Sequence, residues 1–181
     1  MHYGTDLKIR GMDMTFGELR NLIKMDMDRN QDLSKNCCFI WILRVGQWGH
    51  ANHGRNMAAC AAYYLCRVLM RLTVNKYNHY SYNTVIGGGI RVPHNMGIVV
   101  SGKASIGECC TIFHQVTIGV DETNDPDAAP VIGNNVVIGA GAKIVGRVKI
   151  GNHVKIGANA VVTKDVPDGV TVVGNNRIIS N

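Results

Sequence analysis

Apolar and polar positions follow two different rhythms along this chain. From residue 15 to about 78, apolar residues return at the three- and four-residue spacings of helices packed by one face. "TFGELRNLIKMDMDRN" opens with Thr15 and carries Glu18 three positions later, the capping-box pattern that starts a helix. "CCFIWILRVGQW" and "NMAACAAYYLCRVLMRLTV" continue as apolar helices with arginines spaced along one side. Two or three packed helices are predicted. After Tyr82 helical periodicity stops, and glycine, valine and isoleucine take over.

The second rhythm has a period of six. Branched residues fall at Ile86, Val92 and Ile98; at Ile106, Ile112 and Ile118; at Ile132, Ile138 and Ile144; and at Ile150, Ile156 and Val162. Neither a helix nor a half-buried strand repeats every six residues, but a solenoid of hexapeptides does. Each hexapeptide supplies one short strand and one corner, and three close a triangular coil. The aliphatic side chains point into the prism and stack one strand spacing apart, about 4.8 Å. Glycine occupies corners where the backbone turns tightly. A meander of antiparallel strands would need hairpin turns such as Asn-Gly or Asp-Gly between strands. Asp168-Gly169 is the only such pair, and it lies beyond the repeat.

The interruptions carry information. The spacing lengthens to eight between 98 and 106, which puts two extra residues near Val99–Ser105. It lengthens to fourteen between 118 and 132, where "VDETNDPDAAP" is polar and acidic and should leave the prism as a loop over 120–131. Counting in threes makes 92, 112, 138 and 156 equivalent. Two residues beyond them stand His94, His114, Ala140 and Ala158, predicted to share one corner, with the loop emerging between histidines and alanines. Two aligned imidazoles suit general-base chemistry near neutral pH. A shared zinc ion lacks an obvious third ligand, because the register sets His153 elsewhere, so no metal is expected.

Composition narrows the rest. The 181 residues suit one domain with an appendage: a helical region over 1–80 and a solenoid over 81–181. Net charge is +6, and the basic residues are dispersed among valines and glycines, which speaks against nucleic-acid binding. The six cysteines lack metal-site spacing and read as reduced, mostly buried thiols of a cytoplasmic protein. "MHYGTDLKIRGMD" lacks a signal-peptide pattern, and no apolar run reaches the length of a membrane span. The basic, apolar helices also suit a peripheral position at the inner membrane.

"PHNMGIVV" resembles the Asp-His-x-x-Gly-Ile-Val-Val segment of the hexapeptide acyltransferases, and "TIFHQVTIG" the strand before their active-site loop. "IGAGAKIVGRVKIGNHVKIGANAVV" is similar to their coenzyme-A-binding coils, and "LRVGQW" to a Tyr-Arg-Ile-Gly-His-Trp segment of the helical cap. The resemblance runs from about Met25 to Ile179 and points to the serine O-acetyltransferase branch with its polysaccharide-modifying relatives. It implies a mainly β fold: a left-handed parallel β-helix with an N-terminal α-helical cap. It also implies acetyl-CoA as co-substrate, and a homotrimer with active sites between subunits. His94 would be the base, with His114 beside it, and a backbone N–H near Gly119 or Val120 would receive the oxyanion. Ala140 and Ala158 would let pantetheine approach, with Lys155, Lys164 and Arg177 as candidates for the coenzyme's phosphates.

The sequence departs from the serine enzymes at the segments that hold the amino acid. Pro93 replaces the Asp before the catalytic His, Asp127-Ala128-Ala129-Pro130 stands for Asp-Arg-His-Pro, and Arg29-Asn30-Gln31 for Arg-Asp-Pro. His79 falls where a carboxylate would orient the base, leaving His114 or an acid of Asp121–Asp127 as substitutes. A zwitterion in a partly dry site needs opposite charges placed against it. The expected acceptor is therefore a hydroxyl of a surface-polysaccharide sugar or its precursor, with serine O-acetylation as the alternative. Asn30 and Asp127 are the candidate acceptor contacts.

Overall fold

A computed structural model describes residues 14–31, 34–73 and 78–179, apart from the side chains of 34–37 and 73. The opening segment read as lacking a signal peptide lies outside them. Three helices come first: α1 (Phe16–Arg29), α2 (Ser34–Asn52) and α3 (Met57–Thr73). The capping box forms as expected, with the Thr15 hydroxyl accepting from the Glu18 N–H at 3.2 Å and the Thr15 N–H donating to the Glu18 carboxylate at 2.7 Å. No described helix is long and apolar enough to cross a membrane.

The strands that follow are very short: β1 (His79–Tyr80), β2 (Val85–Ile86), β3 (Val99–Val100), β4 (Ser105–Ile106), β5 (Thr111–Ile112), β6 (Thr117–Gly119) and β7 (Val131–Ile132). Then come β8 (Val137–Ile138), β9 (Lys143–Val145), β10 (Lys149–Ile150), β11 (Lys155–Ile156), β12 (Val161–Val162), β13 (Thr171–Val173) and β14 (Arg177–Ile179). They form three sheets, ordered β1-β3-β6-β9-β12, β2-β4-β7-β10 and β5-β8-β11-β13-β14. Successive strands belong to successive sheets, so the chain winds around a three-sided prism. This is a left-handed parallel β-helix with a helical cap, mainly β as the repeat implied.

Register follows the aliphatic ladder. Ile86, Ile106, Ile132 and Ile150 pair in one sheet, Ile112, Ile138 and Ile156 in another, and Val100, Ile118, Ile144 and Val162 in the third. Most are wholly buried. The ladder also extends past the predicted repeat, to Tyr80 above Val100 and Val172 below Ile156. The final pairing reverses: β14 runs antiparallel to β13.

One register expectation is corrected. Val100, not Ile98, is the ladder residue of β3. Ile98 belongs to a second inward row with Val116, Ala142 and Ala160, each two positions before its ladder partner and buried to 0% exposure. The two extra residues therefore lie between Val92 and Val100, not near Val99–Ser105. Corner geometry dictates this: Gly97, Gln115, Gly141 and Asn159 all take φ between 56° and 74°, so they must stack. The bulge thus sits in the segment that carries His94.

The cap is bolted to the first coil by buried charge. Arg44 of α2 meets Asp26 of α1 at 2.7 Å, both side chains being 0% exposed. Arg44 also donates to the Ile86 and Gly87 carbonyls at 2.6 Å each, while Asp26 accepts from the Ile90 N–H at 2.9 Å. Burying an ion pair is costly unless its remaining hydrogen bonds are made, and here they go to the solenoid backbone. Arg29 adds bonds to the Gly89 and Cys110 carbonyls.

Cys38, Cys60, Cys66, Cys109 and Cys110 are free thiols, but only Cys66 and Cys110 are buried, fewer than expected. The Cys37 side chain lies outside the described residues.

Candidate functional site

Three of the four residues expected to share a corner stack there, and Met96, not His94, takes the fourth rung. Stacking places His114 over Ala140 and Ala140 over Ala158: the Gly141 N–H donates to the His114 carbonyl at 2.9 Å, and the Asn159 N–H to the Ala140 carbonyl at 2.8 Å. One coil up, the Gln115 N–H donates to the Met96 carbonyl at 2.8 Å, so Met96 occupies the backbone rung above His114. His94 rides on the two-residue bulge just before it. Its ring lies 5.8 Å from that of His114, edge to face at 75°. His94 is exposed and His114 half-buried. The His114 Nδ1 is buried with no hydrogen-bond partner among the described residues.

The bulge is held from β1. The Tyr80 hydroxyl donates to Asn95 Oδ1 at 2.7 Å, and Asn78 Nδ2 donates to the Asn95 carbonyl at 3.0 Å. Asn78 Oδ1 in turn accepts from the Ile98 N–H at 2.9 Å. Sequence reasoning missed these residues. Their only signal was the displaced six-residue beat. It missed Lys143 as well, whose ammonium donates at 2.6 Å to the carbonyl of Gln115, the residue that follows His114.

Other candidates are dispersed. Lys155 is exposed on β11, three positions before Ala158, and Arg177 is exposed on β14 of the same sheet. Gly119 ends β6, at the corner where the loop departs, and Lys164 follows β12 at that same corner. The loop over 120–131 consequently does not emerge between the histidines and alanines. Strand β6 separates it from His114, because the chain must cross one whole face before leaving the prism.

Two electrostatic ties pin that loop: Lys103 to Asp127 at 2.6 Å and Arg147 to Asp125 at 2.8 Å. Arg147 holds the Asp125 carboxyl below its usual range, and the Asn124 amide does the same for Asp121. The side chains of Asp121, Asp125 and Asp127 bond within the loop and to Arg147 and Lys103, and not to His94.

Asn30 is a second correction. It is 0% exposed, with its amide donating to the Asp26 carbonyl at 2.6 Å and the Ile90 carbonyl at 2.7 Å. It braces the junction of cap and coil, where an acceptor could not reach it. His79 lies exposed on β1, beside an open cleft of about 450 Å³ lined also by His50, Arg67, Tyr80 and Tyr82. Neither His94 nor His114 lines that cleft. Among the described residues no three His, Cys, Asp or Glu side chains gather as a metal would require.

A triangular parallel coil with paired histidines over a track of alanines defines a class, the hexapeptide transferases. The family described as bacterial transferase hexapeptide (six repeats) matches residues 129–164. Serine acetyltransferase of Mycobacterium tuberculosis is 36% identical over 135 residues, covering 75% of this chain and 56% of that protein. The Helicobacter pylori serine acetyltransferase is 47% identical over 90 residues, half of this chain and 53% of that protein. The chain thus spans about half the length of these curated relatives.

Among solved structures, soybean serine acetyltransferase complexed with serine superposes with a TM-score of 0.72 at 31% identity, covering 89% of this chain and 69% of that one. The Neisseria gonorrhoeae enzyme gives 0.74 at 26% identity, covering 91% and 66%. The chain belongs to the hexapeptide-repeat acyltransferase family. The expected polysaccharide acceptor is overturned, since these curated and structural relatives are serine acetyltransferases.

Proposed function

We propose that the protein transfers acetyl from acetyl-CoA to the hydroxyl of L-serine, with His94 as general base. The observation that carries this is the His94–His114 pair, 5.8 Å apart, above the Ala140/Ala158 track. The named activity of the relatives supplies the acceptor.

In this reaction His94 takes the serine hydroxyl proton as the oxygen attacks the thioester carbonyl. The C–S bond then breaks, and the departing thiolate receives the proton from His94, leaving O-acetylserine and free coenzyme A. His114, with its buried and unpartnered Nδ1, flanks the base. Ala140 and Ala158 leave room for the pantetheine arm, and Lys155 lies near enough along β11 to meet a phosphate. Lys143, resting on the Gln115 carbonyl, supplies the cation that serine's carboxylate needs.

The proposal includes three prisms associated side by side. In that arrangement Gly119, the pinned loop with Asp127, Lys164 and Arg177 complete a site on the neighbouring subunit's histidine corner. These are the candidates that a single chain leaves dispersed.

The test is thiol release on mixing acetyl-CoA and L-serine, followed with a thiol reagent. Turnover is expected, and His94→Ala should lower kcat by roughly 10²–10⁴ without altering sedimentation of the assembly. Full activity in that variant, or no serine-dependent release by the wild type, would refute the assignment.

A further inference from the structure

A coil that gains two residues has backbone to spare, and the parallel ladder bonds reach Met96 but neither His94 nor Asn95 among the described residues. Between Val92 and Val100 the ladder touches the Met96 carbonyl, which accepts from the Gln115 N–H at 2.8 Å, and then Val99, whose N–H donates to the Val116 carbonyl at 2.9 Å. His94 stands in this slack segment, where a base needs fixed geometry. Further restraint on Asn95 comes from Asn78 and Tyr80.

We propose that Tyr80 and Asn78 are positioning residues for His94, acting through Asn95. Asn78 spans the bulge with one carboxamide, its nitrogen on the Asn95 carbonyl and its oxygen on the Ile98 N–H. An acceptor on one side and a donor on the other fix which way that amide points. Tyr80 holds the Asn95 side chain from the same strand, at 2.7 Å. Its ring lies 4.7 Å from that of Phe39, a buried residue of α2 that joins the main core. Burial pushes the Tyr80 phenol far above its usual range, so the hydroxyl remains a donor at every working pH. A connected path therefore runs from the helical cap through Phe39, Tyr80 and Asn95 to the residue beside Asn95, which is His94.

The Tyr80 bond falls on an added residue and not on the ladder. The ladder has its own bond here, from the His79 N–H to the Ile98 carbonyl at 2.9 Å. Losing the Tyr80 hydroxyl should leave the coil intact and free only the bulge. Misplacing a reacting group by about 1 Å can cost on the order of 100-fold in rate.

The inference rests on the proposed role of His94, so its test has one readout that needs no turnover. Tyr80→Phe keeps the ring against Phe39 and removes a single bond. We expect kcat for serine-dependent thiol release to fall about 10-fold with KM for acetyl-CoA within about twofold, and the acid limb of kcat/KM to shift. Asn95→Ala should match it. Asn95→Asp, which still accepts from Tyr80, should retain most activity. In parallel, NMR of histidine-labelled protein should show a cross-peak between the His94 and His114 rings that Tyr80→Phe weakens. Should the wild type lack turnover, acetyl transfer to serine fails, and the cross-peak still decides the positioning role. A variant that keeps both its kcat and its cross-peak, whatever its melting temperature, overturns it.

Discussion

Arg44 and Asp26 form an ion pair of 2.7 Å in which neither side chain touches solvent. Beyond each other they meet Gln47 Oε1, which accepts from Arg44 at 3.2 Å, and backbone groups of the first coil, the Ile86 and Gly87 carbonyls and the Ile90 N–H. Removing one member leaves the other charged and stranded. Arg44→Met should therefore cost about 3–5 kcal/mol, read by urea denaturation. A loss below about 1 kcal/mol would mean that the cap does not depend on this bolt.

Lys143 offers a cation held on the carbonyl of Gln115, the residue after His114. If it receives the serine carboxylate, Lys143→Met should raise KM for serine by about 10-fold or more, with KM for acetyl-CoA little changed. Initial rates with each substrate varied in turn decide this. An equal rise in both constants would point to damage at the corner instead.

The loop over 120–131 should open in acid. Asp125 titrates below its ordinary 3.8, chiefly because the Arg147 guanidinium donates to it. A carboxylate depressed in the fold stabilises it fully above its unfolded pKa, and that contribution is lost as pH falls through the folded value. Hydrogen exchange of the loop should rise below about pH 4, and Arg147→Ala should reproduce that opening at pH 7. Both carboxylate and guanidinium face water, so about 0.5 M salt should mimic part of the effect.

Cys110 should be inert. Burial raises its thiol to about 11, and the Sγ–H donates to the Gly133 carbonyl at 3.2 Å. Thiolate is the reactive form, so alkylation at pH 8 should modify exposed Cys38 in the folded protein and reach Cys110 only after denaturation. Mass spectrometry after iodoacetamide treatment reads the difference.

The solenoid was legible because its physics repeats. Each inward Ile must meet another Ile one coil away, and any lapse breaks the column, so the spacing itself writes the register. The corner of His114, Ala140 and Ala158 followed by counting. Ile98, Val99 and Val100 defeated the count because all three are branched, and either of two inward rows could have claimed the first. Only the left-handed conformation at Gly97 settles which one does. Asn30 was misjudged because a buried brace and a binding amide look alike in sequence. The Arg44–Asp26 bolt and the Tyr80–Asn95 bond join segments with no shared periodicity, which no spacing rule can reveal. The acceptor was misread from a few altered polar segments, whereas kinship resides in the entire coil.

The reversal at β14 has a consequence for how the molecule behaves in a crowd. A stack of parallel rungs ending on bare amides and carbonyls is a template, and another chain could add itself rung by rung into a fibre. By folding Arg177–Ile179 back against Thr171–Val173, the chain fills that last row with its own backbone in the opposite sense. Along that face the edge of β13 is no longer a bare template that a second chain could copy.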